Sequence, residues 1–228
     1  MEATTDDTLF GGAVALVQPA RGGAYRVNVD AILLAAFAAR PGRPARCAFD
    51  LGAGVGAVGL SLLHLRGAEH VTMIEVDGAL AALARENAAA NGWESRIDVV
   101  HADVADTKRL PIGAADLVVC NPPYVMPGRG RAPSPARARA RSGPLDVFID
   151  AARRTAGRRA RVCFVYPAIE ATTLLSELRA RGLEPKRLRA VHGAPRRGLD
   201  RARVVLVEAV AGKPGGLVIE PPHFETPR

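Results

Sequence analysis

Asp116-Leu117-Val118-Val119-Cys120-Asn121-Pro122-Pro123-Tyr124 decides how the rest of the chain is read. Leu117 to Cys120 is a continuous apolar run, the pattern of a parallel strand buried on both faces. The run stops at Asn121-Pro122-Pro123, where the prolines offer no N–H to continue a ladder. Pro122 also keeps Asn121 out of the helical region. An amide side chain is therefore expected at the carboxyl end of a strand, where open α/β sheets bind ligands. The Asn121 amide oxygen and the Pro122 carbonyl are acceptors, and Tyr124 brings a flat ring. Together they suit a planar group carrying an NH₂. The plainer alternative is a strand followed by a stiff surface turn.

The stretches on either side alternate between strand and helix. Upstream, Cys47-Ala48-Phe49-Asp50 reads as a first buried strand, running into Leu51-Gly52-Ala53-Gly54-Val55-Gly56-Ala57-Val58-Gly59 and a helix to about Arg66. Val71 to Glu75 is a second strand, residues 79–90 a helix closed by Asn91-Gly92, and Ile97 to Val100 a third, ending at Asp103. Downstream come a helix at about 145–157, a strand at 161–165, a helix at 168–181 closed by Gly182, and strands at 186–191 and 203–208. Such alternation implies a mainly parallel sheet covered on both faces. The last two strands are joined by too few residues for a helical crossover, which makes them antiparallel neighbours. Before the first strand, Ala13 to Val17 and Tyr25 to Val29 are expected to form a hairpin through Pro19 and Gly22-Gly23. Asp30 then caps an apolar helix over 31–39. Three segments follow: residues 1–45 as an N-terminal hairpin and helix, 46–210 as the α/β domain, and 211–228 as a tail with little periodicity.

Composition bounds the class. The chain has 228 residues, 48% of them apolar, enough for one large core. No apolar run approaches the roughly 18 residues needed to span a membrane, and the acidic start is unlike a secretory signal. Cys47, Cys120 and Cys163 each lie in an apolar stretch without zinc spacing, which suits reduced core thiols, a cytoplasmic setting and no metal. The formal charge of +8, mostly arginine, favours a polyanionic partner or a solvated arginine-rich surface. Residues 127–143 interrupt the alternation with Pro, Gly, Ser and Arg129, Arg131, Arg137, Arg139 and Arg141. Those arginines are candidate RNA-backbone contacts or a solvated loop. No feature specifies an oligomer.

Gly54, Gly56 and Gly59 fit the dinucleotide fingerprint G-x-G-x-x-G, with Glu75 placed for ribose hydroxyls. A dehydrogenase would also need a hydride-transfer acid or base, and none is apparent. Asp50 puts a carboxylate against the glycine turn, where a pyrophosphate is repelled but an ammonium or sulfonium is welcome. Asp103 can accept from an adenine amine. Acidic groups at three successive strand ends suit S-adenosylmethionine.

At this point the chain resembles the class I methyltransferases. Asp50-Leu51-Gly52-Ala53-Gly54-Val55-Gly56 is similar to their first motif, Glu75 to their ribose-binding acid and Asp103 to their adenine-contacting acid. Asn121-Pro122-Pro123-Tyr124 is similar to the catalytic motif of members that methylate a planar nitrogen. The resemblance covers roughly residues 9–210. It implies a Rossmann-like, seven-stranded and mostly parallel sheet with a reversed last strand, helices on both faces, and S-adenosylmethionine bound by Asp30, Asp50, Gly52, Gly54, Gly56, Glu75, Asp103 and Asn121. Asn121, Pro122 and Tyr124 would be catalytic. Gln18-Pro19, the Tyr25 to Leu34 segment and the Arg201 to Glu208 stretch resemble the bacterial tRNA(Val) adenine-N6 methyltransferase family. That implies methyl transfer to an adenine N6 in tRNA near the anticodon. The chain departs from that family where Arg141-Ser142-Gly143 stands in place of a His-Glu pair. Two alternatives remain open on the residues. Release-factor glutamine-N5 methyltransferases also carry NPPY, but they place a sizeable helical domain in front. A non-catalytic nucleic-acid-binding protein on the same scaffold would not need Asp50, Glu75, Asp103 and NPPY intact.

Overall fold

The computed structural model describes residues 3–20, 29–123, 145–193, 201–212 and 214–225. The apolar runs become the strands β3 (Ala45–Leu51), β4 (Ala68–Glu75), β5 (Ile97–His101), β6 (Ala115–Cys120), β7 (Ala156–Pro167), β8 (Leu183–His192) and β9 (Ala202–Ala211). They lie side by side in the order β5-β4-β3-β6-β7-β9-β8. β9 runs antiparallel to both β7 and β8, and the neighbours from β5 to β7 are parallel. The reversal follows from the short β8–β9 connection, as expected. Leu117, Val118 and Val119 of β6 are fully buried, each stabilising the sheet by roughly 1.5–3 kcal/mol relative to an exposed position.

Helices cover both faces. On one lie α1 (Val29–Ala38), α2 (Ala57–His64) and α3 (Gly78–Ala90), packed on Leu117, Val119 and Cys163. On the other lie α4 (Leu145–Thr155) and α5 (Ala171–Ala180), packed on Phe49, Leu51, Val118 and Phe164. No helix among the described residues is long and apolar enough to cross a membrane.

The N-terminal segment contains a hairpin whose first strand was not expected. β1 (Thr4–Leu9) pairs antiparallel with β2 (Val14–Pro19), Leu9 opposite Val14 and Thr4 opposite Pro19. Val29, expected in the second strand, opens α1 instead, and residues 21–28 lie outside the described residues. Thr4-Thr5-Asp6-Asp7-Thr8 carries no apolar alternation because that strand is largely exposed and only Leu9 is buried. Its pairing comes from Val14 and Leu16, which are buried in the core. The tail also departs from expectation. β10 (Val218–Ile219) and β11 (His223–Phe224) run parallel to β8 along its outer edge. Two-residue strands are too short to show a period.

One carboxylate fixes α1 to the sheet. Glu208 of β9, with its side chain 4% exposed, pairs with Arg40 (2.7 Å), Arg161 (3.2 Å) and Arg187 (3.3 Å). Arg161 and Arg187 also donate to the Ala38 and Phe37 carbonyls at the end of α1. The Arg187 guanidinium lies 4.2 Å from the centre of the Phe37 ring. Cations at a helix carboxyl end complement its dipole.

Candidate active site

The register aligns the strand ends along one edge. Leu51 sits opposite Ile74 of β4 and Cys120 of β6, Glu75 opposite His101, and Cys120 opposite Phe164. Asp50, Glu75 and Asn121 therefore fall within one residue of a common row. In open α/β sheets this carboxyl edge is where ligands bind.

Asp50 is 1% exposed and its Oδ2 accepts the Gly59 N–H (3.0 Å), holding the start of α2. Burial pushes its carboxyl up from 3.8 to about 7. The Gly59 hydrogen bond opposes that rise and the charge of Glu75 adds to it. Glu75 Oε2 accepts the Gly54 N–H (2.7 Å) and Oε1 the Asp77 N–H (2.8 Å). Its carboxyl is also raised, mainly by burial, while those two N–H groups pull it down. A carboxylate has about four acceptor sites, so Glu75 keeps capacity for hydroxyl donors.

The glycine turn is shaped by what surrounds it. Gly54 has φ +58°, and a Cβ built there meets nothing within 4 Å. At Gly59 a Cβ would lie 2.4 Å from Met73 Cε. Gly54 thus faces open space and Gly59 faces the core. Gly54→Ala should cost only about 1–2 kcal/mol of stability yet weaken ligand binding at least tenfold. Parallel calorimetry and thermal melts separate the two effects, and unchanged ligand affinity would show that Gly54 does not border the ligand.

Asp103 does not end β5, which stops at His101. It is exposed, and its Oδ1 accepts the Ala105 N–H (2.8 Å) in a local turn. Asp30 lies inside α1 rather than capping it, and pairs with Arg203 of β9 at 2.6 Å. Arg203 also holds Glu225 of the tail at 2.7 Å. Asn121 is half-buried and Pro122 buried. Tyr124 and Arg129, Arg131, Arg137, Arg139 and Arg141 lie outside the described residues.

Two side-chain clamps escaped the sequence reading. Asn87 of α3 and Asn91, the residue that caps its carboxyl end, bind the backbone of β2 at Val17 and Ala15. The readable signal was asparagine repeated four residues apart in an alanine-rich helix, where asparagine is otherwise disfavoured.

A seven-strand order with the reversed strand inserted beside its last parallel partner, and strand-end carboxylates around a glycine turn, is the fold of the class I methyltransferases. The chain shares that fold. Residues 28–132 match the methyltransferase small domain. A relative from Aeromonas hydrophila, named tRNA1(Val) (adenine(37)-N6)-methyltransferase, is 36% identical over 156 residues, which is 67% of this chain and 64% of the relative. The match thus spans just under two thirds of that protein. Among solved structures, a predicted O-methyltransferase from Agrobacterium tumefaciens superposes with a TM-score of 0.64 at 24% identity, covering 85% of this chain and 86% of the other. TYW2 from Pyrococcus horikoshii, solved in complex with MeSAdo, gives 0.61 at 18% identity, covering 92% and 71%.

Proposed function

We propose that this protein transfers a methyl group from S-adenosylmethionine to the exocyclic N6 of an adenine in tRNA, beside the anticodon. The observation that carries this reading is the position of Asn121-Pro122: Asn121 follows Cys120 as Glu75 follows Ile74, both one residue past the row of Leu51, Ile74 and Cys120, with Asp50 one residue before it. An amide that grips a flat amine then stands beside a pocket suited to a cation. The relatives' names point to the same acceptor.

S-adenosylmethionine supplies a methyl group activated by a sulfonium. The residues here fit it: Glu75 for the ribose hydroxyls, Asp50 behind the glycine turn for the cationic end, and Gly52, Gly54 and Gly56 for close backbone approach. Asp103 is suited to the adenine amine of the donor. Asp30 of α1, paired with Arg203, is a further proposed donor contact.

The acceptor amine is a weak nucleophile because its lone pair is delocalised into the ring. Asn121 Oδ1 and the Pro122 carbonyl accept its two hydrogens and turn the lone pair toward the methyl group. Catalysis is then mostly positioning. Tyr124 follows in sequence and supplies a face for the base, a contact worth roughly 1–3 kcal/mol. The base must be unpaired or extruded to reach such a pocket. Arg129, Arg131, Arg137, Arg139 and Arg141 are the proposed contacts to the RNA backbone.

The test is incubation of the purified protein with methyl-labelled S-adenosylmethionine and either unmodified tRNA or release factor, followed by mass analysis of nucleosides and peptides. Label in N6-methyladenosine supports the proposal. Label on a glutamine, or none at all, overturns it.

The raised carboxyl of Asp50 gives a pH dependence. In the unfolded chain Asp50 ionises near 3.8, and in the folded protein near 7. Its contribution to stability therefore falls as pH rises between those values and is constant above them. A cationic donor favours the ionised form, so donor affinity should rise with pH from about 6 to 8, while Asp50→Asn flattens the profile. Titration calorimetry across that range checks this, and a flat wild-type profile would exclude Asp50 as the controlling group.

A further inference from the structure

The hairpin β1–β2 is attached to the domain by side chains standing in for a strand. Asn91 Oδ1 accepts the Ala15 N–H (2.9 Å) and its Nδ2 donates to the Ala15 carbonyl (2.9 Å). Asn87 repeats the pattern at Val17, accepting its N–H at 2.6 Å and donating to its carbonyl at 2.9 Å. Each amide makes the pair of bonds that a facing strand residue would make. The geometry is matched. Four residues of helix advance about 6 Å, and two residues of strand about 6.6 Å. Asn87 and Asn91 share one face of α3 for the same reason.

Asn87 differs from Asn91 in one respect. It is fully buried, and its Nδ2 also donates to the Val55 carbonyl (3.0 Å). Val55 lies between Gly54 and Gly56, so the glycine turn is held from two directions. Glu75 holds it at the Gly54 N–H, and Asn87 holds it at the Val55 carbonyl. The same Asn87 amide group that donates to β2 donates to the turn.

We propose that Asn87 is a positioning residue for the methyl donor, coupling the docking of the N-terminal hairpin to the conformation of the glycine turn. The hairpin then belongs to the donor site although it lies behind it. Removing the Asn87 amide frees the Val55 carbonyl and loosens the turn that faces the ligand. Removing the Asn91 amide frees Ala15 and the Asn87 carbonyl but leaves the Asn87 side chain holding both Val17 and Val55, so the turn keeps its anchor. By reciprocity, donor binding must also tighten the hairpin. This inference rests on the glycine turn being the donor site.

The experiment compares Asn87→Ala with Asn91→Ala. Thermal melts should show both destabilised. Calorimetry with S-adenosylmethionine should show affinity reduced at least tenfold in Asn87→Ala and within twofold of wild type in Asn91→Ala. In turnover the defect of Asn87→Ala should appear in KM for the donor and not in KM for the acceptor. Equal donor affinity in Asn87→Ala and wild type, or equal losses in both variants, overturns the coupling. Hydrogen exchange on the wild-type protein needs no variant to fold: saturating S-adenosylmethionine should slow exchange at the Val17 amide, and unchanged exchange there also overturns it. A wild-type protein that binds no S-adenosylmethionine would instead sink the proposed function.

Discussion

Asn121→Ala is expected to bind S-adenosylmethionine as wild type does and to lose methyl transfer by about 10²-fold or more. The size follows from what the amide supplies. Its oxygen takes one hydrogen of the acceptor amine, and without it the amine turns freely, so the lone pair points at the methyl group only a fraction of the time. Misplacement by about 1 Å is enough for a loss of this order. The donor pocket should be untouched, because Asp50, Glu75 and the glycine turn are held by bonds that do not involve Asn121. The signature is a fall in kcat with the donor dissociation constant unchanged, read by single-turnover kinetics and calorimetry. Normal turnover in this variant would remove Asn121 from the chemistry.

Glu208→Ala should lower stability by about 3–5 kcal/mol, the cost of leaving a buried cation, Arg161, without its counter-charge. Arg161 would remain largely covered, with its side chain 12% exposed, facing a hole where the carboxylate stood, while Arg187 keeps Glu220 at 3.3 Å. Arg40 is more exposed and can turn to solvent. For a domain of this size each kcal/mol lowers the midpoint by about 2–4 °C, so a melt would show a drop of roughly 10 °C. A loss below about 1 kcal/mol would mean that the arginines find other partners or that water already screens the cluster.

The sheet was legible because its strands are nearly continuous apolar runs flanked by turn residues, and burial on both faces demands such runs. The reversed strand was legible because chain length alone forbids a crossover between His192 and Ala202. β1 was not read as a partner of β2 for a physical reason. β1 buries a single residue and its pairing is decided by β2, so nothing in Thr4 to Thr8 marks it as a strand. The tail strands are too short to carry a pattern and depend on the free edge of β8.

At the site, carboxylates close to strand ends and a glycine turn can be read locally, which is why Asp50 and Glu75 could be singled out. Asp103 was put at a strand end, but β5 closes two residues earlier at His101. Contacts between distant segments leave no local trace. The pairing of Asp30 with Arg203, the arginines around Glu208 and the asparagine clamp on β2 all join parts of the chain far apart in sequence.

The two borders of the sheet are finished differently. β5 ends the sheet on one side with no strand beyond it among the described residues, while β8 on the other is overlaid by β10 and β11. Open strand borders recruit other chains. Arg187 and Arg189 secure this cover through Glu220, and Arg203 through Glu225. Loss of those acidic anchors would bare a ten-residue strand and invite self-association along that side. The tail thus covers that border of the sheet, and through Arg203 it shares an anchor with Asp30 of α1.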